Sequence, residues 1–240
     1  MSGHSKWSKV KHQKESTDAI KGKAFTKLAS SIIIAVKEGG GISDPSSNFR
    51  LRLAIEKARQ SNMPKENIER AIEKGAGKAE EGNLKRIVYE AFGPGKVGII
   101  IEAHSDNHQR TASEIKNLLE KGGGVLAAQG AVSYLFNYIG MIEVAKKDKN
   151  YDQMTEAVIE AGGEDIREGV NSYIIYTKHE DLHKVKINLE KAGFQVIDES
   201  LLYKPVSVIK AESQQKAKLE ALIAFLENLD DVQKVYSNCL

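Results

Sequence analysis

Met141-Ile142-Glu143-Val144-Ala145-Lys146 reads as a strand, and the order of the elements after it decides the fold. Residues 151–161 carry apolar side chains at helical spacing. Residues 165–168 and 173–178 read as the two strands of a hairpin. A second helix over 180–192 and a strand over 195–203 close the unit. The order β-α-β-β-α-β is the ferredoxin-like split βαβ arrangement, complete in itself.

Outward from this unit the chain offers fragments that need one another. Downstream, 206–210 reads as a strand, 214–226 as a helix with Leu219, Leu222, Ile223 and Leu226 inward, and 232–237 as a strand. Upstream, strands over 86–92 and 97–103 are joined by Gly93-Pro94-Gly95. A helix capped near Asp106 or Asn107 comes next, with Ile115, Leu118 and Leu119 inward, then Gly122-Gly123-Gly124 and a further strand over 131–136. Sheet edges left open are a liability, so these fragments are expected to pair. That makes 80–137 plus 204–240 one discontinuous α/β domain, with 138–203 inserted in it.

Residues 75–82 hold no core-forming side chain larger than alanine and read as a linker. Before them stand three amphipathic helices. The first is expected to start at Thr17, to bury Phe25, Leu28, Ala29, Ile32, Ile33 and Val36, and to stop at Gly39-Gly40-Gly41. Asp44-Pro45-Ser46-Ser47 turns into the second, which buries Leu51, Ala54, Ile55 and Ala58 and carries Arg52 and Arg59 on one face. The third starts around Asn62-Met63-Pro64, buries Ile68, Ala71 and Ile72, and ends at Gly75. The fold class expected is α+β: a three-helix domain over 1–79, then two α/β domains of ferredoxin-like type, one inserted in the other.

The 240 residues are 41% apolar, enough to build cores, and the balance of charged and aromatic residues excludes disordered and fibrous classes. Cys239 is the sole cysteine, so neither a disulfide scaffold nor a cysteine-rich zinc module is available. Apolar runs such as residues 32–36 are too short to span a bilayer. The N-terminal residues lack the apolar segment of a secretory signal, and no arginine precedes Arg50, against a transit peptide. The cytoplasm is the expected location, with no membrane partner.

Charge is distributed unevenly. Residues 1–78 hold 16 Lys and Arg against 8 Asp and Glu, a net of +8, although the whole chain is only +2. Such asymmetry points to a polyanion-binding region on an acidic body, the alternative being a solvated surface of a helix bundle. Within it, Lys6-Trp7, Lys9, Lys11-His12 and Lys14 interleave cations with an aromatic ring that can stack on a base. Lys23 and Lys27 stand four apart on a helix, a mutual repulsion that a bound polyanion would relieve. The stretch before Thr17 has few apolar residues and is expected to be mobile until it binds.

Enzymatic signatures are weak. His179-Glu180-Asp181-Leu182-His183 matches H-E-x-x-H, and a zinc metalloenzyme using His179 and His183 is the remote alternative it raises. That chemistry needs both imidazoles on one face of a regular helix, whereas His179 is expected to precede the first helical residue. Glu180 and Asp181 at a helix start are the simpler account. His104-Ser105-Asp106-Asn107-His108 reads as a strand-to-helix junction. Gly93-Pro94-Gly95-Lys96-Val97-Gly98 satisfies G-x-G-x-x-G but joins strand to strand, where no helix N-terminus can meet a pyrophosphate. A P-loop and a nucleophile elbow are both missing. No catalytic residue, metal or cofactor is expected.

Longer strings carry a resemblance. Gly3-His4-Ser5-Lys6-Trp7, Lys11-His12, Gly22-Lys23, Phe25-Thr26-Lys27-Leu28 and Leu51-Arg52 are among them. So are the run from Asn62 through Ile72, Tyr89-Glu90, Gly93-Pro94-Gly95, and Asp106-Asn107 with Arg110-Thr111. In these the chain resembles the YebC/PmpR family along its whole length. The resemblance implies a helical domain followed by two α/β domains, and a DNA-binding transcriptional regulator. It also implies an alternative, because mitochondrial relatives are translational activators and a ribosome-associated role is proposed for bacterial members. Gln13 and Ile20 depart from the family pattern where basic residues are usual, Phe49 where proline is common, and Lys96 where glycine is common. The expected partner is nucleic acid, promoter DNA or ribosomal RNA, with the ribosome as the second possibility. The expected contacts are Lys6, Trp7, Lys9, Lys11, His12, Lys14, Lys23, Lys27, Arg52, Arg59, Lys65 and Arg70.

Overall fold

The computed structural model describes residues 3–77, 84–146 and 150–239, with side chains from Lys21 onward. By its internal contacts the chain falls into two compact units. One comprises the described residues up to Tyr89 with Ile101–Gly122 and Glu220–Val235. The other comprises Glu90–Ile100, Gly123–Leu219 and the described residues from Tyr236.

Three helices open the chain: α1 (Gly3–Glu38), α2 (Phe49–Gln60) and α3 (Lys65–Gly75). Ile32, Ile33, Ala35 and Val36 of α1 close over Leu51, Ile55 and Ala58 of α2 and Ile68 and Ala71 of α3, with Met63 between. A glycine is required at Gly75, where a Cβ would lie 2.8 Å from Val36 Cβ and 3.0 Å from the Ile33 carbonyl. α1 starts at Gly3 rather than at Thr17, so the expected mobile approach is replaced by continuous helix. Neither glycine nor proline stands between Gly3 and Gly22 to interrupt it. The cap of α2 is Asn48, one residue beyond the expected turn; its side chain accepts from Leu51 N and donates to the Ala35 carbonyl of α1. Asp44 ties the turn through Ser46 and Ser47, bonds that hold its carboxyl below the ordinary range. Residues 78–82 of the expected linker lie outside the described residues.

Beyond Leu84 come β1 (Lys85–Phe92), β2 (Gly98–Ser105), α4 (His108–Lys121), β3 (Val125–Ala127), β4 (Phe136–Ala145), α5 (Tyr151–Ala161), β5 (Asp165–Glu168), β6 (Ser172–Lys178), α6 (Leu182–Lys191), β7 (Val196–Pro205), α7 (Ser213–Glu227) and β8 (Val232–Ser237). The described strands make two four-stranded sheets, in the orders β3-β1-β2-β8 and β5-β6-β4-β7. In the second, β4 runs antiparallel to both β6 and β7, and β5 antiparallel to β6. That is the ferredoxin-like arrangement read from residues 141–203. In the first, β2 is interior, and its run Ile99-Ile100-Ile101 is buried completely. Such a run suits a strand covered on both faces.

Two expected strands are not strands, for reasons set far away in sequence. Over 131–136 the buried Glu90 carboxylate accepts from Gly130 N (2.7 Å), Val132 N (2.5 Å) and Ser133 N (2.8 Å). Amides turned to a carboxylate cannot also feed a β ladder, so the chain forms a turn and a single 3-10 turn over Ser133–Leu135. β4 then begins at Phe136, five residues earlier than expected, because Phe136 and Asn137 pair with Pro205 and Lys204. Over 206–210 one isolated bridge survives, Ile209 to Cys239. There Val206 N already donates to the Leu135 carbonyl, and Pro205 has no N–H to offer. No described helix is long and apolar enough to cross a membrane.

Candidate nucleic-acid interface

With their apolar stripes turned inward, the three N-terminal helices leave cations outside. Lys57 and Arg59, in the last turn of α2, and Lys65 and Arg70 of α3 are exposed. Cations in a last turn also complement the partial negative charge of that helix end. Lys65 shares its charge with Glu69 at 3.3 Å. Arg70 has no ion-pair partner among the described residues. Arg52 is half-buried, with its guanidinium 5.8 Å from the Phe49 ring centre and its buried Nε without a hydrogen bond. The aromatic ring at Phe49, a family departure, thus gives Arg52 a packing partner that a proline would not offer. The side chains of Lys6, Trp7, Lys9, Lys11, His12 and Lys14 lie outside the described residues; their backbone is α1.

Lys23 and Lys27 are engaged within the chain. Lys23 Nζ donates to the Asn228 carbonyl and to Asn228 Oδ1 (3.1 Å), and pairs with Asp230 at 3.1 Å. Lys27 Nζ donates to the Glu227 carbonyl at 2.5 Å. The two ammonium groups therefore cap the C-terminal end of α7, where helix carbonyls lack intrahelical donors. Their mutual repulsion is met within the chain by the end of α7 and Asp230. Burial, followed by the Lys23 charge, pushes the Lys27 ammonium below its ordinary value.

Deeper on the same face of α1, Ser30 Oγ lies 3.3 Å from His104 Nδ1 and accepts from Gln233 Nε2 at 3.2 Å, while Ser31 Oγ donates to Gln233 Oε1. Burial, with the nearby Arg86 charge adding to it, pushes the His104 imidazole down to about 4, so it is neutral at pH 7. His108 does something else: it begins α4, its carbonyl accepts from Tyr89 OH, and its ring meets Tyr89 edge-on. The junction between them is tied to Asp231, whose Oδ2 accepts from Ser105 Oγ (3.0 Å), Thr111 Oγ1 (2.5 Å) and Arg110 (2.8 Å). Burial raises the Asp231 carboxyl, but these donors outweigh it and hold it low. His179 precedes α6 and lies against Tyr138, whereas His183 is inside the helix. Among the described residues no three His, Cys, Asp or Glu side chains gather as a metal site.

Between α1 and α3 opens a cleft of about 580 Å³. Phe25, Ala29 and Ile33 of α1 and Met63 and Ala71 beside or on α3 make its apolar wall. Asn67, Arg70 and Lys74, at i, i+3 and i+7 along α3, line it as well, with Asp106 on another side. Asn67 and Lys74, as lining residues of a cleft, are not among the residues that the sequence singles out. Their spacing relative to Arg70 is the signal that identifies them, once α3 is known to border a cavity.

Comparison with known proteins adds a consistent result. A family model described as the TACO1/YebC protein N-terminal domain matches residues 5–78. A second, the TACO1/YebC second and third domain, matches residues 84–239. A relative from Aquifex aeolicus named "Probable transcriptional regulatory protein" is 45% identical over 239 residues, covering 99% of this chain and 95% of its own. One from Thermotoga maritima with the same name is 44% identical, covering 99% and 93%. The crystal structure of a conserved hypothetical protein from Aquifex aeolicus matches with a TM-score of 0.82 at 43% identity, over 93% of this chain and 91% of that one.

Proposed function

Because the chain belongs to the TACO1/YebC family, as both of its matched segments and its full-length relatives establish, we propose that it regulates gene expression in the cytoplasm by binding nucleic acid, with duplex DNA as the target and transcription as the process. The observation that carries this reading is the +8 excess over residues 1–78 on a chain of net +2. Exposed Arg59 and Arg70 supply part of that charge beyond the helical core, and Lys6, Lys9, Lys11 and Lys14 along α1 supply more. The names of the relatives support transcription as the process. Lys23 and Lys27 contribute by field rather than contact while they cap α7; Lys65 and Arg52 are secondary, one paired and the other packed.

Cations on phosphates position a protein and carry little sequence information. With about six phosphates neutralised, log affinity for duplex DNA falls with log salt at a slope near −5. A titration of the full-length protein against promoter and scrambled duplexes from about 50 to 200 mM salt measures it. A flat response refutes the reading. Co-sedimentation with ribosomes in the absence of duplex binding would move the target to ribosomal RNA and the process to translation.

A further inference from the structure

We propose that the cleft between α1 and α3 is a pocket for a single unpaired nucleotide of the bound nucleic acid, its base held between Phe25 and the α3 wall and its phosphate on Arg70. The inference rests on the nucleic-acid reading above and adds a site to it. At about 580 Å³ the cleft is in the range of small-ligand sites, which are mostly apolar with a few placed polar groups. Its wall supplies an aromatic ring and flat aliphatic surface in Phe25, Ile33 and Met63, the materials on which unstacked bases are held.

The polar groups are matched to the same ligand. A carboxamide and a guanidinium form paired hydrogen bonds with base edges and phosphates, respectively. Asn67 and Arg70 present one of each from successive turns of α3, and neither side chain has a hydrogen-bond or ion-pair partner among the described residues. Other polar groups of the wall are occupied: Ser30 Oγ donates to the Lys27 carbonyl and Thr26 Oγ1 to the Gly22 carbonyl. The acid that lines the cleft, Asp106, is paired with Arg110 at 3.1 Å; Arg110 also serves Asp231, so the Asp106 charge is met only in part and the phosphate is placed on the α3 side, at Arg70.

The test uses the full chain, a 12-nucleotide single strand as DNA and as RNA, and the 12-base-pair duplex. Two charge-neutral variants keep every cation in place: Ala29→Phe, which fills the cleft, and Asn67→Ala, which removes the base-edge group from a half-exposed position. Loss of base stacking weakens single-strand binding by roughly tenfold or more. Ala29→Phe is expected to show that loss on at least one single strand, and Asn67→Ala the roughly fivefold or greater loss of a base-edge pair, with duplex affinity and its salt slope within about twofold of wild type. Photo-cross-links from a thio-substituted base should map to residues 22–33 or 63–74. If Ala29→Phe does not fold, Asn67→Ala and the cross-links decide. Unchanged single-strand affinity in a folded variant, or cross-links only elsewhere, overturns the pocket while leaving the regulator reading intact. Failure of the wild type to bind any of the three probes overturns both.

Discussion

Glu90→Gln isolates what one buried carboxylate does for the fold. In the wild type Oε2 accepts from Val132 N and Ser133 N, and Oε1 accepts from Gly130 N. Burial raises the carboxyl, yet the three N–H groups together outweigh it and hold it below the usual range. Glutamine keeps the shape but has a single acceptor oxygen. With that oxygen facing Val132 and Ser133, its NH2 meets the N–H of Gly130, donor against donor. Stranding that amide costs about 1–2 kcal/mol, and exchanging two charge-assisted bonds for neutral ones costs about 1 kcal/mol each. Relief from burying a charge returns about 1 kcal/mol. The net expectation is a loss of about 2–3 kcal/mol, equivalent to roughly 5–10 °C in melting temperature for a chain of this size. Urea and thermal unfolding measure the loss, and amide hydrogen exchange of residues 130, 132 and 133 localises it. A change below about 0.5 kcal/mol with those amides still protected would refute the claim that Glu90 organises this turn.

Two further predictions concern single residues. His104 is buried neutral with its imidazole near 4 against an ordinary 6.5, so below pH 6.5 the unfolded chain binds more protons than the folded one. The stability it contributes is complete above pH 6.5 and is lost as pH falls toward 4; between about pH 8 and pH 5 the loss is on the order of 2 kcal/mol. Urea unfolding of wild type and His104→Gln at both pH values checks it, and identical pH profiles would show that His104 is not the group responsible. Lys96 sits at φ +60°, left-handed backbone that a Cβ disfavours, at the position where the resembled family commonly has glycine. Lys96→Gly should therefore stabilise the chain by about 0.5–1 kcal/mol, read as a higher urea midpoint at unchanged slope; a lower midpoint would mean that the lysine side chain makes a compensating contact.

Most elements were legible because their determinants are local. The β-α-β-β-α-β order of residues 141–203 follows from period and punctuation alone, and Asn107 is one of the two caps the sequence offers for α4. The errors share a cause. Residues 131–136 have the composition of a strand, and only Glu90, from another strand, takes the amides that a ladder would need. Residues 206–210 keep a single bridge, Ile209 to Cys239, and Val206 N goes to the Leu135 carbonyl, partners that lie far along the chain. The candidate interface divides in the same way: charge excess could be counted, but not which cations remain outward. That Lys23 and Lys27 cap the end of α7, about 200 positions away, is invisible in their neighbourhood.

Period, caps, breakers and charge density depend on residues a few positions apart, and from them the chain alone set its main helices, its α+β class, the ferredoxin-like order and the basic character of its first 78 residues. Which polar group meets which depends on where distant segments come to lie. Folding therefore decided that α7 takes up two of the lysines, that Glu90 shapes a turn about forty residues away, and that α1 and α3 leave a cleft with Asn67 and Arg70 on its wall. A hydrogen bond or an ion pair is a short-range interaction between groups that backbone geometry brings together, and no count along the sequence contains that distance.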